Sequence, residues 1–67
     1  MRMSIRGLRA HRKMTQQELA DHVGVNKKTV ALWENGETTP NVDKVDKICE
    51  ALGVGYDDIE WKVAKEA

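Results

Sequence analysis

Sixty-seven residues fall below the roughly 100–200 that usually make one domain, which excludes a multidomain chain and leaves little room for an enzyme's pocket. Eleven Lys and Arg balance eleven Asp and Glu, excluding a uniformly basic nucleic-acid coat, and a hydrophobic content of 40% excludes an acidic disordered tail. Cys49 is the single cysteine, no apolar run approaches the ~20 residues of a membrane helix, and Met1-Arg2-Met3-Ser4 lacks the apolar stretch of a signal peptide, so a reducing, cytoplasmic setting is expected.

The predicted elements are short and helical. Ser4 caps a first helix reaching about Arg12, with Ile5 and Leu8 facing inward and Gly7 weakening it. Thr15 and Glu18, three residues apart, form a capping box that opens a second helix with Leu19, Ala20 and Val23 on one stripe, stopped by Gly24. Asn26 caps a third helix that runs to about Asn35 and stops at Gly36. After the loop Glu37-Thr38-Thr39-Pro40, Asn41 caps a fourth, with Val42, Val45, Ile48, Cys49 and Leu52 at helical spacing and Gly53 at its end. Gly55 precedes a short helical turn from Tyr56 to about Ile59.

These signals predict a single all-α domain over residues 1–67, five helices with the last one short. The ends follow a different period. Residues 1–5 and 59–63 alternate apolar and polar, the signature of strands. They predict a small antiparallel two-stranded ribbon between the termini, with continuation of the last helix through Ile59 and Val63 as the competing reading.

Charge is unevenly spread. Residues 1–30 carry seven basic and two acidic side chains, net +5, while residues 31–67 carry four basic and nine acidic, net −5. A basic half suggests an anionic partner; two solvated faces are the plainer explanation.

Residues 16–35 separate these explanations. Two helices joined by Gly24-Val25-Asn26 make a helix-turn-helix, whose second helix enters the major groove of DNA. That geometry needs a small residue at the close crossing (Ala20), a turn residue that accepts positive φ (Gly24), and a shared core (Leu19, Val23, Val25, Val30, Trp33). At about 100° per residue from Lys27, the residues Lys28, Ala31, Leu32 and Asn35 fall at roughly 100°, 40°, 140° and 80°, with Val30 and Trp33 at roughly 300° and 240°. The outward face therefore holds lysines, an amide and apolar groups without an acid between positions 27 and 33. Lysines donate to guanine O6 and N7, and apolar groups meet thymine methyls.

Thr15-Gln16-Gln17-Glu18-Leu19-Ala20, Gly24-Val25, Thr29-Val30, Trp33-Glu34-Asn35-Gly36, Pro40 and Ala51-Leu52-Gly53-Val54 together resemble the lambda-repressor-like, Cro-type helix-turn-helix family, which includes the xenobiotic-response-element-type regulators. The resemblance spans residues 5–60. It implies a five-helix DNA-binding domain that binds palindromic operators as a homodimer. By position it implies base contacts from Lys27, Lys28 and Leu32, a phosphate-clamping Gln16 and a backbone contact from Asn35. Asn26 and Thr29 flank the base-reading sites and are expected as phosphate or base contacts, and Arg9 with Glu34 matches a structural ion pair. Three positions depart from the family's pattern. The loop after the third helix is Glu37-Thr38-Thr39 where members are often basic, Leu32 replaces a polar or basic reader, and Lys13 stands where Gly or Asn is common.

Other candidates carry less. His11 and His22 have no ligand-spaced companion, so no metal is expected. Cys49 reads as a small core residue and Asp57-Asp58 as helix-opening acids. No catalytic pattern, cofactor or small-molecule ligand is indicated. The expected function is a sequence-specific transcriptional regulator, most simply a repressor, with double-stranded DNA and a second copy as partners. The dimer surface is expected in residues 54–67, with Ile59, Trp61 and Val63 as contacts. The alternative is a protein-binding module, an antitoxin-like or anti-repressor partner, that keeps the fold and has little DNA affinity.

Overall fold

A computed structural model describes residues 2–61. Helix α1 is Ile5–His11, α2 Gln16–Val23, α3 Lys27–Asn35 and α4 Val42–Leu52, followed by one 3-10 turn, Tyr56–Asp58. Among the described residues there are thus four α-helices, and a single 3-10 turn stands where a fifth is expected.

Each α-helix begins where its capping residue dictates. Ser4 Oγ accepts from Gly7 N at 3.0 Å, Asn26 Oδ1 from Thr29 N at 2.9 Å and Asn41 Oδ1 from Lys44 N at 3.0 Å. Thr15 Oγ1 accepts from Glu18 N at 3.0 Å while Glu18 Oε1 accepts from Thr15 N at 2.8 Å, a reciprocal box that satisfies two otherwise orphaned donors. The close of α2 is equally local. Gly24, at φ +86°, donates to Ala20 O at 2.8 Å, and Val25 N reaches the same carbonyl at 3.0 Å. Gly53 closes α4 at φ +68°, and a Cβ there would also collide with the Arg12 guanidinium.

Helix α1 ends without glycine. Lys13 takes the left-handed conformation at φ 56°, donating to Ala10 O at 2.9 Å while Met14 N donates to Arg9 O at 2.9 Å. An L-residue there costs about 1–2 kcal/mol, against about 0.5–1 kcal/mol for the extra chain freedom of glycine. Lys13→Gly is therefore expected to stabilise the domain by about 0.5–1 kcal/mol, raising its thermal midpoint by a few degrees. A lowered midpoint would show that the lysine side chain contributes more than its backbone costs.

Among the described residues ten form the core: Ile5 and Leu8 from α1, Leu19, Ala20 and Val23 from α2, Val30 and Trp33 from α3, Ile48 and Leu52 from α4, and Ile59. Helix α2 packs against both α3 and α4, so the fully buried Ala20 and Leu19 sit where three helices meet. This packing fixes α3 relative to α2 and turns the remaining side of α3 outward.

Among the described residues the two end segments meet, but not as an antiparallel ribbon. One parallel bridge joins Met3 to Ile59, with Met3 N donating to Asp58 O at 3.0 Å and Glu60 N to Met3 O at 2.8 Å. Arg2 Nη2 adds a bond to Ile59 O at 3.3 Å. An antiparallel pair needs a simple reversal; here four helices intervene and return the chain in the sense in which it began, the crossover that parallel pairing requires. Residues 1, 62 and 63 of the expected ribbon lie outside the described residues.

Candidate nucleic-acid interface

The outward side of α3 follows from its burial pattern. Val30 and Trp33 are buried, Lys27, Lys28 and Asn35 are exposed, and Thr29, Ala31 and Leu32 are half-buried. Full burial thus falls on the 240–300° sector of the wheel, and the sector from Lys27 to Leu32 holds the exposed Lys27, Lys28 and Asn35 beside the half-buried Ala31 and Leu32. Leu32 is absent from the core and from the partly buried hydrophobic residues packed against it.

Glu34 falls about 20° from Lys27 on the wheel and lines the same side of the domain, but its carboxylate is drawn into a link that joins three helices. Its side chain is only 4% exposed, and that of Arg9 15%. Arg9 Nε donates to Glu34 Oε2 at 2.7 Å and Arg9 Nη2 to Oε1 at 3.3 Å, while Arg9 Nη1 donates to Met14 O at 2.9 Å. Gln16 Nε2 also donates to Glu34 Oε1, at 2.9 Å. The carboxylate is thereby neutralised and tied to α1 and to the start of α2, so it does not oppose an anion at the surface.

That link constrains Gln16. One amide proton is committed to Glu34, leaving the second proton and Oε1 for a ligand. Gln16, Lys27 and Asn35 line one shallow hollow, with Arg6 and Lys13 on the same lining. The latter two belong to the basic half of the chain but were not among the expected DNA contacts; Arg6 was signalled by charge alone, and Lys13 by charge and as a departure from the family's pattern. Lys28, Leu32, Asn26 and Thr29 are not part of this hollow.

Asn26 and Thr29 constrain each other. Asn26 Oδ1 caps α3 and also accepts from Thr29 Oγ1 at 3.0 Å. In this arrangement Thr29 has spent its only proton, so its hydroxyl cannot donate to a phosphate. The amide nitrogen of Asn26 remains available.

Of the expected subunit contacts, Ile59 is 0% exposed. It fills the protomer's own core, so its side chain is not available to a second copy. The Met3 bridge draws this residue inward, whereas alternation alone placed it on a ribbon face. Trp61 is half-buried, with its ring 5.5 Å from that of Tyr56. Trp61 Nε1 finds no acceptor among the described residues; Val63 lies outside them. Trp61 and Tyr56 line an apolar groove with Pro40, Val42 and Val45. Val42 and Tyr56 are 76% and 60% exposed.

The remaining polar candidates stay apart. His11 and His22 are both exposed. Among the described residues no group of three His, Cys, Asp or Glu side chains could hold a metal ion. Burial pushes the Cys49 thiol above its ordinary range, and the charges of Asp46 and Asp58 add to the shift. The thiol therefore holds its proton, unlike a reactive cysteine. Asp58 Oδ2 accepts from Gly55 N at 3.0 Å, a turn contact. Among the described residues no helix is long and apolar enough to cross a membrane.

Comparison with known proteins agrees with this geometry. The helix-turn-helix family model matches residues 5–59. The chain is 34% identical over 61 residues to an uncharacterized HTH-type transcriptional regulator, YgzD, of Bacillus subtilis, covering 91% of this chain and 92% of that protein. It is 38% identical over 50 residues to the cryptic phage CTXphi transcriptional repressor RstR of Vibrio cholerae, covering 75% of this chain and 45% of that one. It is 34% identical over 56 residues to the antitoxin PezA of Streptococcus pneumoniae, covering 84% of this chain and 35% of that one.

Proposed function

The chain belongs to the lambda-repressor/Cro-like helix-turn-helix family, and on that footing we propose that it is a sequence-specific DNA-binding transcriptional regulator. In this reading it is a small repressor that binds a palindromic operator as a homodimer, with α3 in the major groove. The observation that carries the reading is the outward side of α3: two lysines, an asparagine and a leucine, with the nearest acid held inward by Arg9 and Gln16. Lys27, Lys28 and Leu32 read bases; Gln16, Asn35 and Asn26 hold the phosphate backbone from donors that their structural bonds leave free. Thr29 supports the fold of the reading surface through its bond to Asn26. The name of the relative RstR supports repression as the direction of regulation.

The test is retention on duplex DNA at low salt, followed by the salt dependence of binding. A bound chain should lose affinity with log salt at a slope of about −0.9 per phosphate contacted. No retention would favour a second reading, a protein-binding module of antitoxin or anti-repressor type. The balanced net charge and the similarity to the antitoxin PezA support that alternative.

The homodimer follows from two physical requirements. A palindromic site needs a two-fold partner, and one small module buries only about 600–1,000 Å² on DNA. Within the 54–67 segment, Tyr56 and Trp61 join Pro40, Val42 and Val45 in an apolar groove that shares no residue with α2 or α3. We place the second copy there. Val42→Glu tests the placement cleanly, because an acid in the first turn of α4 suits the helix dipole and should not unfold the domain. The expected outcome is a monomer by molar mass in solution and weakened operator binding. An unchanged dimer would move the interface elsewhere.

A further inference from the structure

We infer that Leu32 reads the 5-methyl group of a thymine, and that operator binding depends on that methyl. The inference rests on the reading of α3 as a major-groove helix and adds the base chemistry it selects. Leu32 stands one helical turn after Lys28, on the side of α3 that faces away from the core, and is not packed against that core. Its side chain is half-buried, and the part left open is apolar surface on the outward side of the helix.

The neighbours decide what can cover it. The α3 surface from Lys27 to Leu32 carries no carboxylate, so the amino groups of cytosine and adenine meet no charged acceptor there. Thr29, on the preceding turn, has its hydroxyl proton engaged by Asn26 Oδ1, which leaves its methyl and lone pairs as what it can offer. The lysines supply donors, for which guanine O6 and N7 are the matching acceptors. Against Leu32 only thymine presents an apolar group in the major groove. Any other base edge would lose water without gaining a hydrogen bond. Four residues of helix rise about 6 Å, so the thymine should fall within about two base-pair steps of a guanine contacted by Lys28.

The experiment uses the unaltered chain and a duplex recovered by selection from random DNA. Each thymine of one half-site is replaced in turn by deoxyuridine, which keeps the base pair and removes only the methyl. At one position near a guanine, binding should weaken about fourfold, the factor for burying one carbon at ~0.8 kcal/mol. Leu32→Ala should bind the thymine and deoxyuridine duplexes equally. This variant should fold, since Leu32 lies outside the core and alanine favours the helix. Indifference of the unaltered chain to every deoxyuridine overturns the inference alone, as does a methyl effect that persists in Leu32→Ala. Absence of any sequence-specific duplex binding overturns it together with the reading on which it rests.

Discussion

Replacing Lys27 and Lys28 together by alanine should abolish specific operator binding and leave the domain folded. Both side chains are exposed, neither caps a helix nor enters the core, and alanine is the better helix former. Each lysine that donates to a guanine edge is worth about 1–3 kcal/mol of discrimination. The pair together should cost about 2–6 kcal/mol, or roughly 30-fold to 20,000-fold in affinity. Quantitative binding to a selected duplex and to a scrambled one separates base reading from mere attraction. Loss confined to the selected duplex assigns the lysines to bases. Equal loss on both, with a salt slope reduced by about 0.9 per contact, would assign them to phosphates. Unchanged affinity and slope would remove both from the interface.

The second large effect should be on stability. Glu34→Ala should leave most of the chain unfolded at room temperature. The carboxylate receives two bonds from Arg9 and one from Gln16, and its side chain is 4% exposed. Removing it leaves the Arg9 guanidinium, itself only 15% exposed, without its charge partner. Breaking such a pair from one side costs about 3–5 kcal/mol. A core of this size rarely supplies more than about 3–5 kcal/mol in total, so the loss is comparable with the whole stability. Glu34→Gln should be milder, because it keeps the shape and an acceptor for Gln16. Urea unfolding followed by helical circular dichroism measures both. A loss below about 1 kcal/mol for Glu34→Ala would mean that water replaces the carboxylate and that the three-helix link is weak.

Which features were legible in the sequence follows from their range. Caps act within three residues, so Ser4, Thr15, Asn26 and Asn41 could be read directly, and α2 to α4 start where they predict. Gly24 and Gly53 were equally plain. The end of α1 was harder, because a lysine there adopts the conformation usually left to glycine. Period two at the termini suggested an antiparallel ribbon, yet it carries no information on direction, and the bridge between Met3 and Ile59 is parallel. It also could not foresee that Ile59 would be fully buried, since that depends on how four helices return the chain. On α3, the helical wheel separated outward from inward residues because one period governs the whole element. It could not show that Gln16, 18 positions from Glu34, would share its carboxylate with Arg9. Nor could it show that Thr29 would give its proton to Asn26, a rotamer choice rather than a spacing.

Selection of bound sequences from a random duplex pool decides whether α3 reads bases from a two-fold dimer. The expected product is an inverted repeat with half-sites about one helical turn, 10–10.5 base pairs, apart, each containing a thymine within about two base pairs of a guanine. No enriched motif, or a motif without two-fold symmetry, would contradict a dimeric, base-reading α3.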